Sequence, residues 1–313
     1  MAAKLAERLR SNKPLILDGA MGTELQRRGS DTGLPMWSAN ALFSKPALIQ
    51  QIHEEYIAAG ADIITTNTFR TTRRTMHRAN LPDRSRQLTE RAVDLAMRAR
   101  EHAQNSAILI AGSIAPLEDC YRPDLVPSDQ ELCEEHEELA GALANLGVDF
   151  LLIETMNTVR EAFAAGRAAE QTGKEFVVSF VCNAQGHLLS GETLSDAIDS
   201  LAELRPAGFS INCVSPRYMG SALTEAAAQI ARSSPGTHLG VYGNIGNPES
   251  DVHGWEFTHD VDEAGYASHV AEWVRLGASI VGGCCGTTPA YIKAAAKTLG
   301  QESARRGTTP AGK

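Results

Sequence analysis

Short apolar runs alternate with longer stretches of helical periodicity along the chain. The runs are LILDGA (15–20), DIITTNTF (62–69), AILIAGSI (107–114) and DFLLIETM (149–156), then FVVSFVC (176–182), FSINCV (209–214), HLGVYGN (238–244) and SIVGGCC (279–285). Helical spacing of apolar positions covers 46–59, 84–103, 129–146, 158–172, 193–204, 216–232, 261–276 and 289–299. A continuously apolar run reads as a strand buried on both faces, and the 3.6-residue spacing as a helix with one buried stripe. Eight strands, each followed by a helix, predict an α/β fold: a single (β/α)8 TIM barrel, with an open doubly wound sheet as the alternative.

Three junctions, AAGADII, NLGVDFL and RLGASIV, place a glycine where a helix must stop before the next strand. Their spacing is uneven, so they mark a recurring helix-to-strand turn and not a repeat of fixed period. No break in composition marks a second domain. The barrel is therefore assigned to residues 1–300, and residues 301–313 to a flexible C-terminal tail.

The barrel predicts where chemistry lies, because such folds carry their sites at the C-terminal ends of the strands. Polar residues gather there: Asp18, Thr66, Asn67, Ser113, Glu154, Cys213, Asn244 and the pair Cys284–Cys285. The connections that follow the first, third and seventh runs (21–45, 115–128 and 245–260) are long and rich in Gly, Pro and Trp. Long loops on one face of a rigid scaffold usually carry binding.

Composition narrows the class. With 43% hydrophobic and 21% charged residues, the chain is that of a globular protein with ample core. The net charge is −9 and the basic residues are scattered, which argues against nucleic acid as a partner. No apolar stretch is long enough to span a bilayer, and the N-terminal segment lacks the apolar centre of a secretory signal. A cytoplasmic location is expected.

Six cysteines in 313 residues do not form a disulfide framework. Cys120, Cys133 and Cys182 read as structural thiols. Cys213 ends the sixth run and Cys284 and Cys285 the eighth, and in a closed barrel those strands lie two apart. Three thiolates converging there can hold one Zn²⁺ with a fourth position open, as catalytic zinc requires. Buried thiols at strand ends, or a strained vicinal disulfide, account for the same residues, and the pattern alone does not choose. A three-sulfur site is a weak Lewis acid, but it binds a further thiol and removes its proton.

Asp18 and Glu154 are acids at the exits of apolar strands. Burying a charge is costly without a partner, and a substrate α-ammonium group is one such partner; a neighbouring loop amide is another. Gly19 and Gly22 in DGAMGTE let backbone amides approach a ligand carboxylate. Neither a P-loop nor GxGxxG is present at that turn, and no nucleophilic triad is apparent. His53 and His136 are expected on helix surfaces. His253 and His259 fall in the long loop after the seventh run, and Trp37 and Trp255 in loops of the same face; Trp273 fits a helix core.

The motifs LDGAMGTELQRRG, SKPALIQQIHEEYIAAGADIITTNTF, LLIETM, SINC and VGGCCGTTPAYI together resemble the homocysteine S-methyltransferase family, over residues 14–298. That family includes the homocysteine-binding module of cobalamin-dependent methionine synthase. The resemblance implies a (β/α)8 barrel with zinc on Cys213, Cys284 and Cys285. It implies that Asp18 and Glu154 hold the amino group of homocysteine and act as the catalytic carboxylates. The substrate carboxylate would lie near Gly19, Thr66, Asn67 and Thr68, and Asn244 would occupy the open zinc position in the resting state.

Betaine-using relatives carry a Tyr after the corresponding Glu and a long C-terminal arm; here Thr155 follows Glu154 and the chain ends with GQESARRGTTPAGK. Folate- and cobalamin-binding domains are absent from this sequence. The resemblance therefore implies a small sulfonium donor, S-methylmethionine or S-adenosylmethionine, with a separate methyl-corrinoid protein as the alternative partner. A thiol- or zinc-binding protein without catalysis is the third reading.

Overall fold

The computed structural model describes residues 5–11, 13–248, 255–256, 258 and 261–307. Eight strands form one ring: β1 Leu15–Ile16, β2 Ile63–Thr65, β3 Leu109–Ile114, β4 Phe150–Met156, β5 Phe176–Phe180, β6 Gly208–Asn212, β7 His238–Gly243 and β8 Ala278–Gly283. They pair in the order β1-β8-β7-β6-β5-β4-β3-β2, every pair parallel. A parallel bridge between Leu17 and Ile63 joins the two ends of that order. The ring is a (β/α)8 barrel, and the open-sheet alternative is set aside.

The outer layer is α1 Pro46–Ala59, α2 Ser85–His102, α3 Asp129–Asn145, α4 Val159–Gln171, α5 Leu194–Ala202, α6 Met219–Ser233, α7 Glu263–Arg275 and α8 Pro289–Gly307. Their starts have local causes. Ser128 and Glu131 form a reciprocal capping box at α3, and the side chains of Thr158, Thr193 and Asp262 each accept a first-turn amide. Gly60, Gly147 and Gly277 have φ of 107°, 84° and 105°, the left-handed turn expected at the three glycine junctions.

Two apolar layers result from strand alternation. Leu15, Leu17, Ile63, Leu109, Phe150, Leu152 and Ile280 pack within the barrel, and Leu5 and Leu9 of the N-terminal turn of helix join them. The alternate residues, such as Ile64, Ile110, Leu151 and Ile153, pack against the helices. That N-terminal helix is tied to the ends where strands begin: Arg8 pairs with Asp62 at 2.7 Å, and the Ala6 amide donates to Glu175 at 3.1 Å.

Three expectations need adjustment. His53 and His136 are completely buried, because both lie on the inner stripes of their helices. Burial, with no hydrogen-bond partner among the described residues, lowers His53 to about 4, so it is neutral in the core. The last helix continues to Gly307, across the boundary placed at residue 300; residues 308–313 of the expected tail lie outside the described residues. In the loop after β7, Asn247–Pro248 pairs antiparallel with Trp255–Glu256, while His253 and His259 lie outside the described residues. No helix among the described residues is long and apolar enough to cross a membrane.

Candidate active site

The sulfur atoms of Cys213, Cys284 and Cys285 lie within 4.8 Å of one another, with Cys213 and Cys285 at 3.9 Å. Backbone geometry brings them there. Inward positions on β6 alternate through Ser210 to Asn212, so a regular strand would send the next side chain outward. Instead Cys213 has φ 57°, a left-handed residue that ends the strand. On β8, the Cys284 amide donates to the Gly243 carbonyl at 2.7 Å, and the Cys285 carbonyl accepts from Ile245 at 2.7 Å. Gly282 passes so close to β1 that a Cβ there would lie 2.6 Å from the Leu17 Cβ. Gly282 therefore serves close packing of β8 on the β1 segment, and Gly283 close packing on Thr287 in the turn that follows, beside the cysteines they precede.

Three thiols in contact, Cys213 buried and Cys284 and Cys285 half-buried, cannot all ionise without a cation. Hydrogen bonds from Cys213 and Cys285 hold Cys284 well below the usual thiol range. Cys213 is pushed up, chiefly because it donates to Cys284. Cys285 is also raised: a hydrogen bond from Cys213 favours its thiolate, but its own donation to Cys284 and its burial outweigh that. The cluster holds one negative charge easily and more only against a cation.

Asp18 and Glu154 open into the same cavity, which has a volume of about 600 Å³. Asp18 accepts from the Thr65 amide at 2.7 Å and from the Thr65 hydroxyl at 3.0 Å. Burial nevertheless raises its carboxyl to about 7. Glu154 accepts from the Ser113 hydroxyl at 2.5 Å, and burial followed by the charge of Cys284 raises it to about 8. Two buried acids with raised pKa ionise most readily beside a cation, which makes the pair a candidate cation site.

The strand-2 residues divide. Thr66 and Asn67 line the cavity with Gly19, whereas Thr68 does not. Thr68 is fully buried and donates to the Ser113 carbonyl at 2.7 Å, holding the residue that touches Glu154. The Asn67 side chain donates to the Ser38 carbonyl at 3.0 Å. A Cβ on Gly19 would meet Thr287 at 2.7 Å and Tyr56 at 2.8 Å, so this glycine is required by packing as well as by any ligand. Asn244 is buried beside Cys213: its Nδ2 lies 3.5 Å from the Cys213 carbonyl, and its Oδ1 has no hydrogen-bond partner among the described residues.

Several residues were not singled out from sequence. Thr65 positions Asp18, and Tyr121 places its hydroxyl 3.1 Å from the Cys213 sulfur. Asn212 links Thr155 and Ser179. Thr65 occupies an inward position of β2, a signal that alternation from Ile63 provides; Tyr121 lies in an irregular loop without any such period. The more exposed part of the cavity is lined by Trp37, Phe69, Arg70 and Asp119. Arg74 and Arg78 engage Glu118, but Arg70 has no carboxylate partner among the described residues. Arg70 donates to the Glu118 carbonyl at 2.8 Å and lies 5.3 Å from the Phe69 ring centroid.

Comparison with known proteins gives concordant matches. The family model for homocysteine S-methyltransferase matches residues 15–299. The chain is 32% identical over 295 residues to homocysteine S-methyltransferase of Escherichia coli strain K12, spanning 90% of this chain and 93% of that one. It is 30% identical over 310 residues to homocysteine S-methyltransferase 2 of Zea mays, spanning 91% and 89%. The crystal structure of the homocysteine methyltransferase MmuM from Escherichia coli, in its metallated form, matches with a TM-score of 0.79 at 30% identity, covering 92% of this chain and 97% of that one.

Proposed function

This chain belongs to the homocysteine S-methyltransferase family, and from that premise we propose that it moves a methyl group from a sulfonium donor to the thiol of homocysteine, giving methionine. The observation that carries the reading is the meeting of three thiols and two buried carboxyl groups on one cavity.

The sulfur cluster suits zinc. At a zinc–sulfur length of ~2.3 Å, tetrahedral ligand sulfurs stand roughly 3.8 Å apart, and the Cys213–Cys285 separation is 3.9 Å. Cys213, Cys284 and Cys285 would hold the ion, and the unpartnered Oδ1 of Asn244 would take the remaining position before substrate arrives. Bound there, zinc would supply deprotonation of the homocysteine thiol at neutral pH.

The chain's own groups do the remainder. Asp18 and Glu154 receive the substrate ammonium, releasing their protons as it binds, and Thr65 and Ser113 fix the two carboxylates. Thr66, Asn67 and Gly19 face the substrate carboxylate. Trp37 and Phe69, in the more exposed part of the cavity, limit the entry of water. Transfer forms a carbon–sulfur bond on the acceptor and breaks the methyl–sulfonium bond, whose electron pair remains on the donor as a neutral thioether. The thiol proton leaves to solvent. Arg70 and the exposed Asp119, of opposite sign on the outer wall, match the carboxylate and ammonium of an amino-acid donor such as S-methylmethionine or S-adenosylmethionine.

The test is a donor screen on the purified protein with homocysteine as acceptor, with metal content measured in parallel. Methionine formation from a sulfonium donor, lost with the zinc in Cys284→Ala and Cys285→Ala, is expected. Undiminished turnover by a metal-free variant would overturn the zinc reading. Turnover only after addition of a methyl-corrinoid protein would overturn the sulfonium donor.

A further inference from the structure

The three sulfurs are not held equally. Cys284 and Cys285 are neighbours on one chain segment, so positioning one largely positions the other. Cys213 comes from a different strand and follows a left-handed turn of its own (φ 57°). Its place in the cluster therefore needs a separate hold.

Tyr121 is suited to give it. Its hydroxyl lies 3.1 Å from the Cys213 sulfur and has no other hydrogen-bond partner among the described residues. The residue is itself anchored. Its amide donates to Asp119 Oδ1 at 2.9 Å, which makes a tight turn of the loop after β3. Asn157, fully buried at the end of β4, donates to the Cys120 carbonyl at 2.9 Å and the Asp119 carbonyl at 3.4 Å. A buried side chain on β4 thus fixes the loop, the loop fixes Tyr121, and Tyr121 reaches the sulfur at the end of β6. The same ring lines the substrate cavity.

We propose that Tyr121 is a positioning residue of the metal site, donating a hydrogen bond to Cys213 Sγ that holds this sulfur toward Cys284 and Cys285 and withdraws charge from it. The inference rests on the metal reading of the cluster. Partners that orient a ligand atom from behind typically contribute 10–100-fold to metal affinity. Loss of the hydroxyl removes the hold on the one sulfur whose residue is not adjacent to another of the cluster, and it leaves that sulfur a stronger donor of charge.

The test uses Tyr121→Phe, which removes only the oxygen, in the full-length protein loaded with zinc or with cobalt(II) as a coloured substitute. The expected result is zinc affinity weakened about tenfold or more in competition with a chelator. The sulfur-to-cobalt charge-transfer absorption should move to longer wavelength, with the urea midpoint of the metal-free protein unchanged. Affinity and absorption equal to the parent protein would overturn the inference. A parent protein that binds neither metal would overturn the metal reading and this inference with it, so the two failures are distinguishable.

Discussion

Thr155 and Asn212 exchange two hydrogen bonds: the Thr155 amide donates to Asn212 Oδ1 at 2.9 Å, and Asn212 Nδ2 donates to Thr155 Oγ1 at 2.8 Å. Each lies next to a candidate site residue, Glu154 on β4 and Cys213 directly after β6. Thr155 has φ 60°, and the register of β4 against β5 slips between Ile153 and Met156, so the two site residues flank a bulge and a strand end joined by this pair. The Glu154 carboxylate and the Cys213 sulfur are thereby held in one frame.

Asn212→Ala removes both bonds and leaves the Thr155 amide and the Ser179 hydroxyl without their acceptor. A buried orphan of this kind costs about 1–3 kcal/mol. Urea unfolding should show a loss of at least that of one such group, and turnover should fall more than tenfold because both Glu154 and Cys213 lose their reference.

Asp18→Asn and Glu154→Gln should each raise the KM for homocysteine at least tenfold and leave the KM for the donor nearly unchanged. In the parent protein, both carboxyls must ionise to receive an ammonium group, and burial holds them at about 7 and about 8. The KM for homocysteine should therefore fall as pH rises from 6 to 8.5. Steady-state kinetics across that range check both statements, and an unchanged KM in Asp18→Asn would remove this acid from substrate binding.

The same shifts have a consequence for stability without substrate. A carboxyl whose native pKa lies above its unfolded value keeps its proton longer in the native state. Its contribution is complete below about pH 4 and is lost as pH rises through about 7 for Asp18 and about 8 for Glu154. The substrate-free protein should have a lower urea midpoint at pH 8.5 than at pH 5, and Asp18→Asn should flatten that slope. A midpoint that rises over the same interval would contradict the burial of these groups.

Arg70→Met retains much of the stem that lies over Phe69 and removes the charge. The KM for an amino-acid sulfonium donor should rise about tenfold, in the range of a charge-assisted hydrogen bond, while homocysteine affinity measured by calorimetry stays the same. Equal losses for a sulfonium donor without a carboxylate would remove Arg70 from donor recognition.

Much of this was legible in the chain. The apolar runs and helical spacings located all eight strands and their helices, since a parallel strand buried on both faces cannot be anything but apolar. The capping residues and junction glycines marked helix ends for equally local reasons. Polar residues in otherwise apolar strand ends pointed to Asp18, Glu154 and the cysteines. The same local view misplaced His53 and His136, because a polar residue on a helix reads as exposed until its facing neighbours are known.

Strand count, strand polarity and the chemical identity of the site residues were thus properties of the sequence alone, each imposed by periodicity or by the cost of burying charge. Which way those residues face was decided only by the tertiary structure. Strict alternation sends Cys213 away from the barrel axis, and the left-handed turn at φ 57° lets its sulfur join the cluster. Thr65 meets Asp18 while Thr68 turns to the Ser113 carbonyl, and Tyr121 from an irregular loop reaches Cys213. These contacts join segments far apart in the chain, and nothing in local propensity encodes a distance between them.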